Sequence, residues 1–111
     1  MTKIVKRTDI LERIKDIVHN EGLTHPMIYL FGSQARGDSK KESDWDFLIL
    51  FEDSLTAESK KKVWFKIYSQ FHHYFPYTSV DIILKDLSAF EEEKKIANTI
   101  SNEVYIEGVQ I

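Results

Sequence analysis

The chain has 111 residues, 42% hydrophobic and 30% charged, enough for one domain over residues 1–111 with a single core. With no cysteine it can form neither a disulfide nor a thiolate metal site, which fits a reducing cytoplasm. A net charge of −3 argues against tight sequence-independent binding to nucleic acid, no apolar run approaches the roughly 18 residues of a membrane span, and Met1–Arg7 lacks the apolar stretch of a secretion signal.

In chain order, Ile10, Leu11, Ile14, Ile17 and Val18 recur at helical spacing and predict a first helix over 8–21, with Asp9 and Glu12 as a capping box. Gly22 stops it, and His25-Pro26 marks a loop before a strand, Met27–Phe31. A polar loop, 38–43, leads to a second apolar run, Phe47–Phe51, of the kind buried on both faces. A helix opened by Ser54 or Thr56 then extends to about Tyr74, with Val63, Ile67, Tyr68 and Phe71 as its core stripe, widened by Trp64, Phe65 and Phe75. Pro76 breaks it, and 79–84 forms a third strand. Ser88 with Glu91 suggests a second capping box on a helix from Ala89 to Ile100, and Val104-Tyr105-Ile106 before Gly108 reads as a short last strand. This alternation gives an α/β class: an α+β sandwich with a small mixed sheet and helices mainly on one face.

The chemistry gathers in two stretches, Phe31-Gly32-Ser33-Gln34-Ala35-Arg36-Gly37 and Ser43-Asp44-Trp45-Asp46. Residues two apart on a strand share a face, so Asp44 and Asp46 can reach one cation while Trp45 points into packing. Oxygen-only ligands suit Mg²⁺, which binds through one or two carboxylates plus substrate phosphates. Gly32 allows close backbone approach; Ser33, capping a short helix through Arg36, would offer N–H groups and a hydroxyl to an anion, with Arg36 one turn on. Read alone, Asp44 and Asp46 could also be solvated acids at a strand edge, and Asp81 a turn or capping acid. Lys40 and Lys41 fit a solvated loop better than a triphosphate contact, and Lys60–Lys62 a solvated helix face. His25 reads as a loop residue, and the adjacent His72 and His73 point in different directions, which makes a shared metal difficult.

Gly32-Ser33, ten residues, Asp44-x-Asp46 and an apolar-flanked Asp81 together resemble the nucleotidyltransferases of the DNA polymerase beta superfamily, in particular the stand-alone minimal nucleotidyltransferase group. The resemblance covers nearly the whole chain. Gln34 stands where an arginine is common, and Trp45 where isoleucine or leucine is common. It implies a palm-like nucleotidyltransferase fold, with Asp44, Asp46 and Asp81 as catalytic residues and ligands of two Mg²⁺ ions, and with Gly32, Ser33 and Arg36 binding the triphosphate of an NTP, most often ATP. It further implies AMP transfer to a hydroxyl, typically a tyrosine of a HEPN-domain toxin encoded by the adjacent gene, so that the transferase acts as antitoxin. A homodimer is compatible with the aromatic content. Two other classes stand beside this one: a binding module that neutralises its partner by contact alone, and a subunit modifying a small hydroxyl compound of the antibiotic type.

Overall fold

A computed structural model describes residues 5–38 and 43–111; Lys40 and Lys41 lie outside the described residues. The elements are α1 (Arg7–His19), β1 (Met27–Phe31), α2 (Ser33–Arg36), β2 (Trp45–Phe51), α3 (Ala57–Tyr74), β3 (Val80–Asp86), α4 (Leu87–Glu93), α5 (Ile100–Glu107) and β4 (Val109–Gln110). The strands form one mixed sheet in the order β3-β2-β1-β4. β1 runs antiparallel to both β2 and β4, whereas β2 and β3 are parallel. A parallel pair needs a long crossover, and the 18-residue α3 supplies it.

The period of two along β2 sorts its side chains between the faces. Trp45, Phe47, Ile49 and Phe51 join Ile10, Ile14 and Ile17 of α1 and Ile67 and Phe71 of α3 in the larger core cluster. Leu48 and Leu50 turn the other way, to Phe31, Phe90 of α4 and Val104 of α5. The two long helices therefore cover one face, and two short ones cover part of the other. β3 is an edge strand among the described elements, and the indole Nε1 of Trp64 donates to its Ile82 carbonyl at 2.7 Å, covering that part of the edge. Among the described residues, no helix is long and apolar enough to cross a membrane.

Local departures from the expected elements have local causes. The first helix is capped by its own chain one turn earlier: Lys6 N–H donates to the Asp9 carboxylate at 3.0 Å, so Asp9 closes the cap and Glu12 has no part in it. The helix expected from Ala89 to Ile100 breaks after Glu93. Asp86, not Ser88, caps α4 by accepting from Ala89 N–H at 3.1 Å. Asn98 adopts a left-handed φ of 67°, and Thr99 accepts from Asn102 N–H at 3.0 Å to start α5. Val104-Tyr105-Ile106 is thus helical, and the last strand is displaced to Val109–Gln110.

Candidate functional site

The site lies where β1 ends and β2 and β3 begin. In register, Asp46 faces Phe31 on β1 and Asp81 on β3. Paired residues project from the same side of a sheet, so Asp46 and Asp81 share the face covered by α4 and α5, on strands about 5 Å apart. Asp44 directly precedes β2, two residues from Asp46. Trp45 N–H donates to the Ser79 carbonyl at 3.0 Å and ties the start of β2 to the lead-in of β3. Trp45 itself is buried in the larger core, and Arg7 sits over its ring at 5.3 Å.

Asp46 is half-buried, whereas Asp44 and Asp81 are exposed. Burial, followed by the charges of Asp81, Asp44 and Glu103, pushes the Asp46 carboxyl up to about 6, and the charge of Arg36 pulls it partly back. The site therefore carries more negative charge than it compensates.

Gly32 fits this arrangement sterically. Its φ is 74°, and a β-carbon placed there would enter the Asp46 carboxylate. Gly32, not Ser33, is the N-cap of α2, and Ser33 is the first helical residue. The Ala35 and Arg36 N–H groups both donate to the Gly32 carbonyl at 3.1 Å, which leaves the Ser33 and Gln34 N–H groups without a partner inside this single turn. Gln34 is buried and donates to the Ser43 carbonyl at 3.2 Å, joining the glycine turn to the residue before Asp44. Gln34 thus holds the two stretches together.

Arg36 is held between two carboxylates. Its Nε donates to Asp38 at 3.1 Å and its Nη1 to Glu107 of α5 at 3.0 Å. Both bonds raise the guanidinium pKa. Glu103, one turn earlier on α5, is raised by burial and by Glu107. These two glutamates were not found by sequence reasoning, because Val104-Tyr105-Ile106 suggested a strand; Ser101 and Val104, both buried and three apart, are the helical signal that was available.

Among the described residues, no three His, Cys, Asp or Glu side chains stand close enough to hold a metal ion unaided. The donors nonetheless fit Mg²⁺. They are all oxygen, and the raised Asp46 carboxyl marks a charge deficit that a divalent cation would fill, with substrate phosphates completing its shell. The histidines lie apart from this chemistry. His25 pairs with Glu52 at 2.6 Å, beyond the far end of β2. The ring nitrogens of His72 lie 3.3 and 3.1 Å from the Tyr68 and Thr78 carbonyls, and His73 is exposed.

The family model for polymerase beta nucleotidyltransferases matches residues 12–110. A Methanocaldococcus jannaschii protein named as a protein adenylyltransferase is 36% identical over 84 residues, covering 76% of each chain. Among solved structures, a toxin-antitoxin assembly with AMP-PNP matches at a TM-score of 0.59 with 22% identity, over 89% of this chain and 69% of that one. A complex of a tri-AMPylated Shewanella oneidensis HEPN toxin with its MNT antitoxin matches at 0.57 with 19% identity, over 95% of this chain and 71% of that one. A minimal nucleotidyltransferase matches at 0.53 with 22% identity, over 90% of this chain and 87% of that one. These structural likenesses are likenesses of fold.

Proposed function

Since the chain belongs to the polymerase beta nucleotidyltransferase family, we propose that it transfers AMP from ATP to a tyrosine hydroxyl of a HEPN-domain toxin encoded beside it, and so acts as the antitoxin. The observation that carries this reading is the registered pair Asp46–Asp81, with Gly32 pressed against Asp46 and Arg36 nearby. That grouping brings an anion-accommodating turn to within one residue width of paired carboxylates.

In this reading the triphosphate lies against Gly32 and Ser33, and Arg36 neutralises part of its charge. Asp44 and Asp46 would hold Mg²⁺ with the phosphates, as would Asp81 if two ions bind; the metal supplies charge neutralisation at the transferring phosphoryl group and its leaving pyrophosphate. The acceptor hydroxyl attacks the α-phosphorus, a new P–O bond forms, the bond to the bridging oxygen breaks, and pyrophosphate leaves. Asp81, more exposed than Asp46, would either ligate the ion beside the acceptor hydroxyl or take the hydroxyl's proton. Catalysis is then mainly positioning and charge compensation. In this reading the partner supplies the surface that presents the acceptor hydroxyl.

The test is transfer by Asp44→Asn and Asp46→Asn variants, with circular dichroism to show that they fold. Loss of transfer with the fold retained is expected; transfer at the wild-type rate by both variants would reject the proposal.

A further inference from the structure

We propose that Glu107 is a positioning residue for Arg36, fixing its guanidinium before the nucleotide arrives; the inference rests on the nucleotide-binding reading of Arg36 given above. Arginine carries many rotamers, and ordering one on binding weakens affinity unless the protein has already ordered it. Arg36 ends a single-turn helix and is followed by exposed residues, so its own backbone neighbourhood holds it weakly. Asp38, two residues on, belongs to the same segment and so adds no tie to the rest of the fold. Glu107 lies 71 positions away and belongs to another element.

That element is fastened at both ends. At its start, Thr99 caps the helix, and the wholly buried Ser101 accepts from Lys85 of β3 at 3.1 Å and donates to Glu93 of α4 at 3.2 Å. At its end, Gly108 N–H donates to the Val104 carbonyl at 2.7 Å, and a β-carbon at Gly108 would meet that same oxygen at 2.5 Å. The chain then passes directly into β4, whose Val109 and Gln110 pair with Leu30 and Tyr29 of β1. β1 leads into Gly32 and α2. Glu107 and Arg36 therefore hang from one hydrogen-bonded frame, and the 3.0 Å bond between them closes it.

The two contacts approach the guanidinium through different nitrogens, Nε for Asp38 and Nη1 for Glu107, so they set its plane and leave further donors for phosphate oxygens. Glu107 is also the more sheltered partner, its side chain 28% exposed against 61% for Asp38, which favours it as the fixed end. Orientation, not sequestration, follows from this geometry, and the two roles have opposite consequences for nucleotide affinity.

The experiment measures Mg-ATP binding by calorimetry for the wild type, Glu107→Ala, Glu107→Gln, Arg36→Ala and the Arg36→Ala/Glu107→Ala pair, with thermal melts alongside. Glu107→Ala is expected to weaken binding roughly threefold to tenfold, with Glu107→Gln, which keeps an acceptor oxygen, within about twofold of wild type. In the Arg36→Ala background, Glu107→Ala should add nothing, a coupling that a merely structural role would not produce. Tighter binding by Glu107→Ala, or equal weakening with and without Arg36, would overturn the proposal. If Arg36→Ala binds like the wild type, the nucleotide reading of Arg36 itself has failed, and the positioning role goes with it.

Discussion

The Asp46 carboxylate occupies the space that a side chain at Gly32 would need, so the glycine turn and the first strand acid are sterically a single unit. Gly32→Ala is expected to abolish nucleotide transfer and to cost about 1–3 kcal/mol of stability, through the positive φ and the displaced carboxylate. Gly22 makes the control. Its φ of 73° is similar, but nothing lies within 4 Å of a β-carbon there, so Gly22→Ala should lose only about 1 kcal/mol and keep its activity. Parallel melts and transfer assays separate the two.

Protonation of Asp46 sets a pH dependence in the metal-free protein. Its carboxyl is raised to about 6, above the ordinary aspartate value, so the folded state binds the extra proton. The stability this contributes is fully present below about pH 4 and is lost as pH rises through about 6. Asp46→Asn, which cannot ionise, should therefore gain on the wild type across that window, by about 1 kcal/mol at pH 8 after solvent screening. Denaturant melts at pH 4 and pH 8 measure the difference. Mg²⁺ should reduce it at pH 8, since the cation supplies the missing charge.

Ser101 has its hydroxyl wholly buried between Lys85 and Glu93. Ser101→Ala should destabilise the fold by about 1–2 kcal/mol. It should also loosen α5, which amide exchange on 100–107 would report as faster opening.

Trp64 covers part of the β3 edge through its bond to the Ile82 carbonyl. Trp64→Phe keeps most of the packing and removes that donor. About 1 kcal/mol is the expected loss, together with increased self-association as the edge carbonyl is freed. Urea melts and sedimentation at two protein concentrations would show both effects.

The strands were legible where patterning and burial agree. Met27–Phe31 appears with the bounds its apolar run suggested, and β2 begins at Trp45, so Asp46 lies on the strand as expected while Asp44 directly precedes it. The glycine turn beside the strand acids was legible from glycine's freedom and the two-residue period of a strand, which act locally, whereas Asp81, a turn or capping acid when read alone, entered the candidate site only through the family resemblance. The region after Glu93 was not legible. Lys94-Lys95-Ile96-Ala97 are helix formers that hide a break made by Asn98 and Thr99, and the β-branched and aromatic residues of 104–106 suggest a strand. Tertiary packing of Ser101 and Val104 against the sheet decided otherwise. The helix this produced carries Glu103 and Glu107, so the charge of the one and the Arg36 acceptor of the other were hidden with it.

The most direct measurement incubates the purified chain with Mg²⁺, α-labelled ATP and the proposed HEPN-domain partner, and follows the label. The account predicts label on a tyrosine of that partner, lost when Asp46→Asn replaces the wild type. Label on a small hydroxyl compound instead, no transfer despite bound ATP, or undiminished labelling by Asp46→Asn would contradict it.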